Sequence, residues 1–196
     1  MTMDMSKIKI FIKILTNSFF KPKLMKDMLE ERTQTQEDEK FKKHKYNYDY
    51  NSIEEFIAKN YSGFEVRNFE KEFNYLEKHI ERFFNNLKLK NFPSREKPYP
   101  IDYSINYDSR KFLYILCRII KPKNVIETGV AYGLSSLYIL KSLKDNNFGT
   151  LYSIDSIFRP WQTREMIGSI ILEELRDKWK LLIGKSSEKL PEIFNE

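Results

Sequence analysis

The second half of this chain alternates short apolar runs with longer segments of helical periodicity, and this alternation restricts the fold most. Three runs have the length of buried strands, at 124–128, 150–154 and 180–183. Helices are predicted around them at about 109–120, 134–144 and 162–178, with a short helix at the end. Such alternation indicates βαβ units and a parallel sheet, a Rossmann-like α/β fold. Because parallel crossovers are right-handed, the carboxyl ends of the strands share one sheet edge.

The first hundred residues predict a helical region with a polar linker. Apolar residues recur every three or four positions from Phe69 to Leu87, which predicts an amphipathic helix from Asn68, its capping residue, to about Leu89. Residues 31–52 are polar and are predicted to form a solvated linker. The proline-rich stretch 91–102 then separates a helical region, 1–100, from an α/β domain, 101–196. The N-terminal run KIKIFIKILTNSFF fits both a helical stripe and a strand face, and the helix is favoured.

Composition narrows the classes of function. The net charge of +6 comes from residues upstream of position 124 and is scattered along helices, so nucleic-acid binding is disfavoured. The apolar N-terminal run is too short and too charged to span a bilayer, although an amphipathic helix resting on a membrane surface is a less favoured alternative. The only cysteine, Cys117, lies in an apolar run and is predicted to be buried. These features are typical of a cytoplasmic protein. His44 and His79 have no partners at ligand spacing, so no metal site is predicted.

The stretch from 124 to 136, NVIETGVAYGLSS, contains two of the six glycines. It reads as a buried strand, a loop and a helix start, which is the place where parallel sheets bind ligands. Gly129 permits a sharp turn without a Cβ, and Gly133 lets the helix start come close to ligand and strand. One βαβ unit later, Asp155 follows the second strand, where a carboxylate can accept hydrogen bonds from a ribose diol. The sequence therefore predicts a site for a nucleotide-like ligand.

The pattern E-T-G-x-x-x-G-x-S after a strand, followed by YSID, resembles motifs I and II of class I S-adenosylmethionine-dependent methyltransferases. The likeness is to the small-molecule methyltransferase-like group and covers about residues 109–196. It implies S-adenosyl-L-methionine as cofactor and a small-molecule methyl acceptor.

The resemblance also implies residue roles. Gly129, Ala131 and Gly133 would follow the methionine part of the cofactor, and Glu127 would accept from its amino group, directly or through water. Asp155 would bind the ribose, Ser135 opens the following helix, and the turn from Gly184 to Ser187 would border the adenine. The complete set of predicted cofactor-binding residues is Glu127, Thr128, Gly129, Ala131, Tyr132, Gly133, Ser135, Asp155, Ser156 and Ser187.

These turns have three other interpretations. A dinucleotide loop requires G-x-G-x-x-G, and Ala131 stands where the middle glycine belongs. A phosphate-binding loop ending at Gly184-Lys185-Ser186 requires a glycine where Trp179 stands. A glycine-containing turn that binds nothing also remains open, because such turns occur in many α/β proteins.

The chain departs from the resembled family after its third strand. A complete domain of that family has seven strands, and the fourth, beside the first, carries residues that close the site. The expectation is therefore a methyltransferase domain represented by its first half, with catalytic residues that cannot be assigned. Three explanations are open, with the first favoured: a fragment of a longer enzyme, a homo-oligomer or other strand-donating partner, or KIKIFIKI folding back beside the first strand. The alternative function is a non-catalytic interaction or regulatory protein that retains half of a cofactor site.

Overall fold

A parallel sheet of three strands forms the centre of the second half of the molecule. The structure, a computed structural model, describes residues 5–18, 22–41, 51–101, 104–157, 159 and 161–195. The strands are β1 (Asn124–Thr128), β2 (Thr150–Asp155) and β3 (Trp179–Ile183). They pair in the order β1-β2-β3, with Val125 opposite Leu151 and Ser153 opposite Leu181. This confirms the predicted parallel α/β sheet.

Seven helices accompany the sheet in the described ranges. Four precede it: α1 (Met5–Ser18), α2 (Pro22–Phe41), α3 (Ile53–Asn60) and α4 (Glu70–Lys88). Three belong to the alternating region: α5 (Tyr107–Ile120), α6 (Leu134–Asp145) and α7 (Ser186–Phe194). Short 3₁₀ turns lie at Val66–Phe69, Arg164–Met166 and Glu173–Lys178. No helix in these parts of the chain is both long enough and apolar enough to cross a membrane.

Four predictions about the helical region need correction or completion. The polar segment predicted as a linker is helical as far as Phe41, the end of α2, and Ser52 caps α3 with a capping box. Asn68 lies inside a 3₁₀ turn, and α4 begins after Phe69 without a side-chain cap. The N-terminal run is helical in its described part, which belongs to α1, so KIKIFIKI does not supply a strand beside β1. The prediction for His44 falls outside the described residues.

The predicted helix at 162–178 is wrong, because tertiary hydrogen bonds replace the helical ladder there. Gly168 N–H donates to the Ala131 carbonyl at 2.9 Å, and Ile170 N–H donates to the Tyr132 carbonyl at 3.1 Å. Gly168 also has a φ of +68°, which a right-handed helix does not contain. The segment therefore runs as two 3₁₀ turns joined by a stretch that lies against the loop after β1.

The main core lies on one face of the sheet. Buried side chains of α4, α5, α6 and β2 meet there, among them Leu76, Ile115, Tyr138 and Leu151. The opposite face carries a small cluster of Tyr152, Ile154 and Ile193, covered by α7. Val125 and Ile126, in the run predicted to be a buried strand, are only partly buried. The reason is that β1 is the edge strand of the described sheet, with β2 as its one neighbour.

A buried polar cluster fixes α4 against α5 and α6. Arg110 donates to both carboxylate oxygens of Glu77, at 2.8 and 3.1 Å, and the Tyr138 hydroxyl donates to the same carboxylate at 2.5 Å. Arg110 is buried, so this charge pair replaces the water that its guanidinium loses on folding. The helical region upstream is thereby joined to the sheet-bearing part through α4.

Candidate functional site

The loop between β1 and α6 is held by hydrogen bonds on one side and borders open space on the other. Gly129, Ala131 and Gly133 have φ values of +80°, +49° and +92°, so the backbone reverses direction within five residues. The carbonyls of Ala131 and Tyr132 accept the hydrogen bonds from Gly168 and Ile170 described above. The loop is therefore a fixed element and not a free turn.

The two glycines of this loop serve different purposes. A Cβ built on Gly129 has nothing within 4 Å, so this face of the backbone borders open space. A Cβ on Gly133 would lie 2.9 Å from the Cα of Gly168 and 3.1 Å from the Ile171 side chain. Gly133 thus permits the close approach of the 168–171 segment, whereas Gly129 leaves room for something outside the protein chain.

Asp155 lies directly under this loop. One carboxylate oxygen, Oδ2, accepts from the backbone N–H groups of Val130 and Ala131, at 2.8 and 2.9 Å. The other, Oδ1, accepts from Ser156 N–H at 2.6 Å. Charge-assisted bonds of this kind are stronger than neutral ones, so the tip of β2 fixes the shape of the loop. With four lone-pair sites on the two oxygens and three in use, one remains for a further donor.

Glu127 faces away from this space and into a ring of hydroxyl groups. Its carboxylate accepts from Ser135 at 2.5 Å, from Ser136 at 2.6 Å and from Ser153 at 2.7 Å. The Ser153 oxygen in turn accepts from the Trp179 indole N–H at 2.9 Å. Burial raises the pKa of the Glu127 carboxyl, although the three hydroxyl donors act in the opposite direction.

A cavity of about 1330 Å³ opens in front of the loop. Its walls come from the ends of all three strands, from the start of α6 and from the turn that begins α7. Among the predicted site residues, all but Glu127 and Gly133 line it: Thr128, Gly129, Ala131, Tyr132, Ser135, Asp155, Ser156 and Ser187. The structure therefore brings the bend after β1 and the carboxylate after β2 to one cavity. The predicted contact between Glu127 and a cofactor amino group stays a prediction.

Sequence reasoning missed the part of the wall that comes from upstream. Lys23, Asp27 and Glu30 of α2 line the cavity, as do Tyr99, Ser104 and Ile105. The spacing of the three α2 residues, four and three positions apart, places them on one helix face, but nothing in the sequence tells which element that face meets. Tyr99 stands between two prolines in the stretch that was assigned to a boundary.

A charge cluster joins α2 to the turn before α7. The Lys185 ammonium lies 2.8 Å from a Glu30 carboxylate oxygen and 3.2 Å from one of Asp27. The hydrogen bond with Lys185 lowers the pKa of Glu30, and the same contacts raise the pKa of Lys185. Because these side chains are substantially exposed, the pair is a solvent-screened contact that positions α2 more than it stabilises the fold.

Tyrosines hold the boundary segment against the loop. The Tyr132 hydroxyl donates to the Tyr99 carbonyl at 2.6 Å and accepts from Tyr99 N–H at 3.2 Å. Burial raises the pKa of Tyr132 to about 12 and that of Tyr99 further still. The hydroxyl of Tyr99 accepts from the Gln162 side-chain amide at 2.5 Å. Both phenols are therefore protonated at neutral pH and can act as hydrogen-bond donors.

These walls suit an organic ligand with polar groups better than a metal ion. Across the described part of the chain, no group of three His, Cys, Asp or Glu side chains could hold a metal. The N-terminus of α6, at Leu134 and Ser135, borders the cavity and favours an anionic ligand group. The bare backbone at Gly129 and the remaining lone pair of Asp155 provide a cradle and an acceptor.

Comparison with known proteins gives one family match. Residues 126–196 match a family model described as a methyltransferase domain. The matched segment contains β1 from its third residue, α6, β2, β3 and α7. For these residues the match confirms the methyltransferase resemblance. No curated protein matches the sequence.

Solved structures with a similar arrangement are distant. An O-methyltransferase from Bacillus cereus, in complex with SAH, is 17% identical, with a TM-score of 0.43, over 74% of this chain and 55% of that chain. The methyltransferase PaMTH1 from Podospora anserina, bound to SAH, is 16% identical, with a TM-score of 0.43, over 75% and 56%. TomG, an O-methyltransferase from Streptomyces achromogenes in complex with SAM, is 19% identical, with a TM-score of 0.39, over 58% and 52%. The chain thus spans about half the length of these structures, and at this distance no functional argument rests on them.

Proposed function

We propose that this chain binds S-adenosyl-L-methionine in the cavity at the carboxyl ends of β1, β2 and β3, as part of a methyltransferase that acts on a small molecule. The observation that carries the proposal is the meeting of the Gly129 bend, the Asp155 carboxylate and the Gly184–Ser187 turn around one cavity, within the segment that matches the methyltransferase domain. This is the place at which parallel sheets bind nucleotide-like ligands.

The chain's own residues would divide the work as follows. Gly129 leaves its backbone open to the methionine part, and the start of α6 attracts the carboxylate of that part. Asp155 keeps one lone pair for a ribose hydroxyl, and Ser187 lies in the turn that would border the adenine. When bound, the cofactor supplies an electrophilic methyl group, so the protein's part is to align an acceptor and exclude water.

Glu127 does not line the cavity and would act through neighbouring residues that do. Its hydrogen bonds to Ser135 and Ser136 fix the first turn of α6, and the bond to Ser153 fixes β2. In this arrangement Glu127 positions the loop and the helix start, and one of its four lone-pair sites remains for a cofactor amino group, directly or through water. The acceptor atom and the base that deprotonates it are not assigned to any residue of this chain.

Isothermal titration calorimetry with S-adenosylhomocysteine tests the cofactor proposal. We expect saturable binding at one site, and adenosine alone should bind more weakly because it lacks the part that follows Gly129. Folded protein, checked by circular dichroism, that gives no binding heat at high ligand concentration would contradict the proposal. Transfer of a labelled methyl group by the same preparation would separate an enzyme from a protein that only binds the cofactor.

A further inference from the structure

Tyr99 contributes to the cavity from outside the methyltransferase-domain match. It is 4% exposed and lies on the cavity wall with Asp155 and Ser156. Its backbone is fixed through both hydrogen bonds to the Tyr132 hydroxyl, and the two rings meet edge-on with centroids 5.0 Å apart. None of these contacts uses the Tyr99 hydroxyl.

Within the described parts of the chain, the hydrogen bonds around this hydroxyl leave its proton without a partner. The Gln162 amide nitrogen donates to the Tyr99 oxygen at 2.5 Å and to the Ser156 carbonyl at 3.3 Å. An amide nitrogen carries two protons, so both are used, and the Tyr99 oxygen is an acceptor in this pair. No acceptor for the phenol proton lies within hydrogen-bond distance among the residues that the structure describes.

Turning the Gln162 amide around would give the Tyr99 proton an acceptor, but it would disrupt the other contacts of this amide. The reversed amide would place its carbonyl oxygen against the Ser156 carbonyl oxygen, which is an unfavourable contact between two acceptors. It would also move the amide nitrogen, with its two protons, to the position of the buried Oε1 atom, which has no hydrogen-bond partner among the described residues, and two unpaired donors cost more free energy than one unpaired acceptor. The orientation in which Gln162 donates is therefore favoured, and it directs the Tyr99 proton away from Gln162.

Resting on the proposed function, we propose that Tyr99 is a specificity-determining residue whose hydroxyl donates to a ribose hydroxyl oxygen of the ligand beside Asp155. The two groups are complementary to a diol. Asp155 has one lone pair for a hydroxyl proton, and Tyr99 has one proton for a hydroxyl oxygen. Ser156, which follows Asp155, is held by the same Gln162 amide, so the acceptor and the donor are positioned together.

Calorimetric titrations of the wild type and two variants test this assignment. The ligands are S-adenosylhomocysteine and its 2′-deoxy and 3′-deoxy analogues. Tyr99→Phe should weaken S-adenosylhomocysteine binding by about 2- to 12-fold, which is the effect of one hydrogen bond. Tyr114→Phe is the matched control, because it removes a buried hydroxyl that donates to Asp145 away from the cavity. It should change affinity by less than about twofold.

The ligand comparison separates a direct contact from a structural effect. For the analogue that lacks the accepting hydroxyl, wild type and Tyr99→Phe should bind equally well. Equal affinity of both proteins for S-adenosylhomocysteine, or an equal loss for all three ligands, would overturn the assignment. So would a wild type that does not distinguish S-adenosylhomocysteine from either deoxy analogue, a result that needs no variant. A wild type that fails to bind S-adenosylhomocysteine would overturn the proposed function as well.

Discussion

Replacing each loop glycine by alanine should separate ligand binding from stability. In Gly129→Ala the new methyl group points into open space, whereas in Gly133→Ala it lies 2.9 Å from the Gly168 Cα. Both positions have a positive φ, so both substitutions carry the same kind of backbone strain. The pair is therefore matched in chemistry and in conformation, and differs in what the methyl group meets.

The magnitudes follow from these surroundings. Alanine in the left-handed region costs about 1–2 kcal/mol, and the lower freedom of the unfolded chain offsets about 0.4–1 kcal/mol of this. Gly129→Ala should thus lose about 1 kcal/mol, or about 2–4 °C in Tm for a chain of this length. Gly133→Ala adds an overpacking cost of about 1–3 kcal/mol, so its Tm should fall by about 5–15 °C.

Thermal unfolding and calorimetric titration with S-adenosylhomocysteine measure the two effects. Gly129→Ala should bind roughly tenfold or more weakly, a loss of about 1.4 kcal/mol or more, while remaining folded. Gly133→Ala should be the less stable protein, with affinity that recovers on cooling to temperatures at which it is folded. Wild-type affinity in Gly129→Ala would refute the reasoning, because the ligand could not then lie against this backbone.

Two further predictions concern charged side chains at or beside the candidate site. Because burial raises the pKa of Glu127 above 4.5, the folded state binds a proton that the unfolded state has lost, and stability should fall as pH rises from 4.5 through the folded pKa. Glu127→Gln should flatten that fall in urea unfolding, and an equally steep fall would contradict the assignment. Lys185→Ala should speed hydrogen exchange in α2, since Lys185 pairs with Asp27 and Glu30. Lys144→Ala breaks an ion pair that does not involve α2, so hydrogen exchange in α2 should stay unchanged in this control. An unchanged exchange rate in Lys185→Ala would contradict the proposal that the Lys185 cluster holds α2.

The local spacing of apolar residues was sufficient to predict the strands and helices that bury one apolar face. The strands β1 to β3 and the helices α4 to α6 begin and end within about two residues of their predicted bounds. The segment at 162–178 failed because its backbone hydrogen bonds go to Ala131 and Tyr132, residues that lie more than thirty positions away. A helical spacing of apolar residues cannot reveal that such distant hydrogen-bond partners compete with helix formation.

For the candidate site, the sequence by itself determined the loop after β1, the acid after β2 and their common edge, because the strand-loop-helix order and right-handed crossovers require them. Only the tertiary structure decided that Glu127 turns toward three serines, that Gly133 serves the 168–171 segment, and that Tyr99 and α2 complete the wall. The physical reason is the distance along the chain over which each feature is determined. Backbone conformation is set by neighbouring residues, whereas the partner of a side chain depends on how distant parts of the chain are packed together.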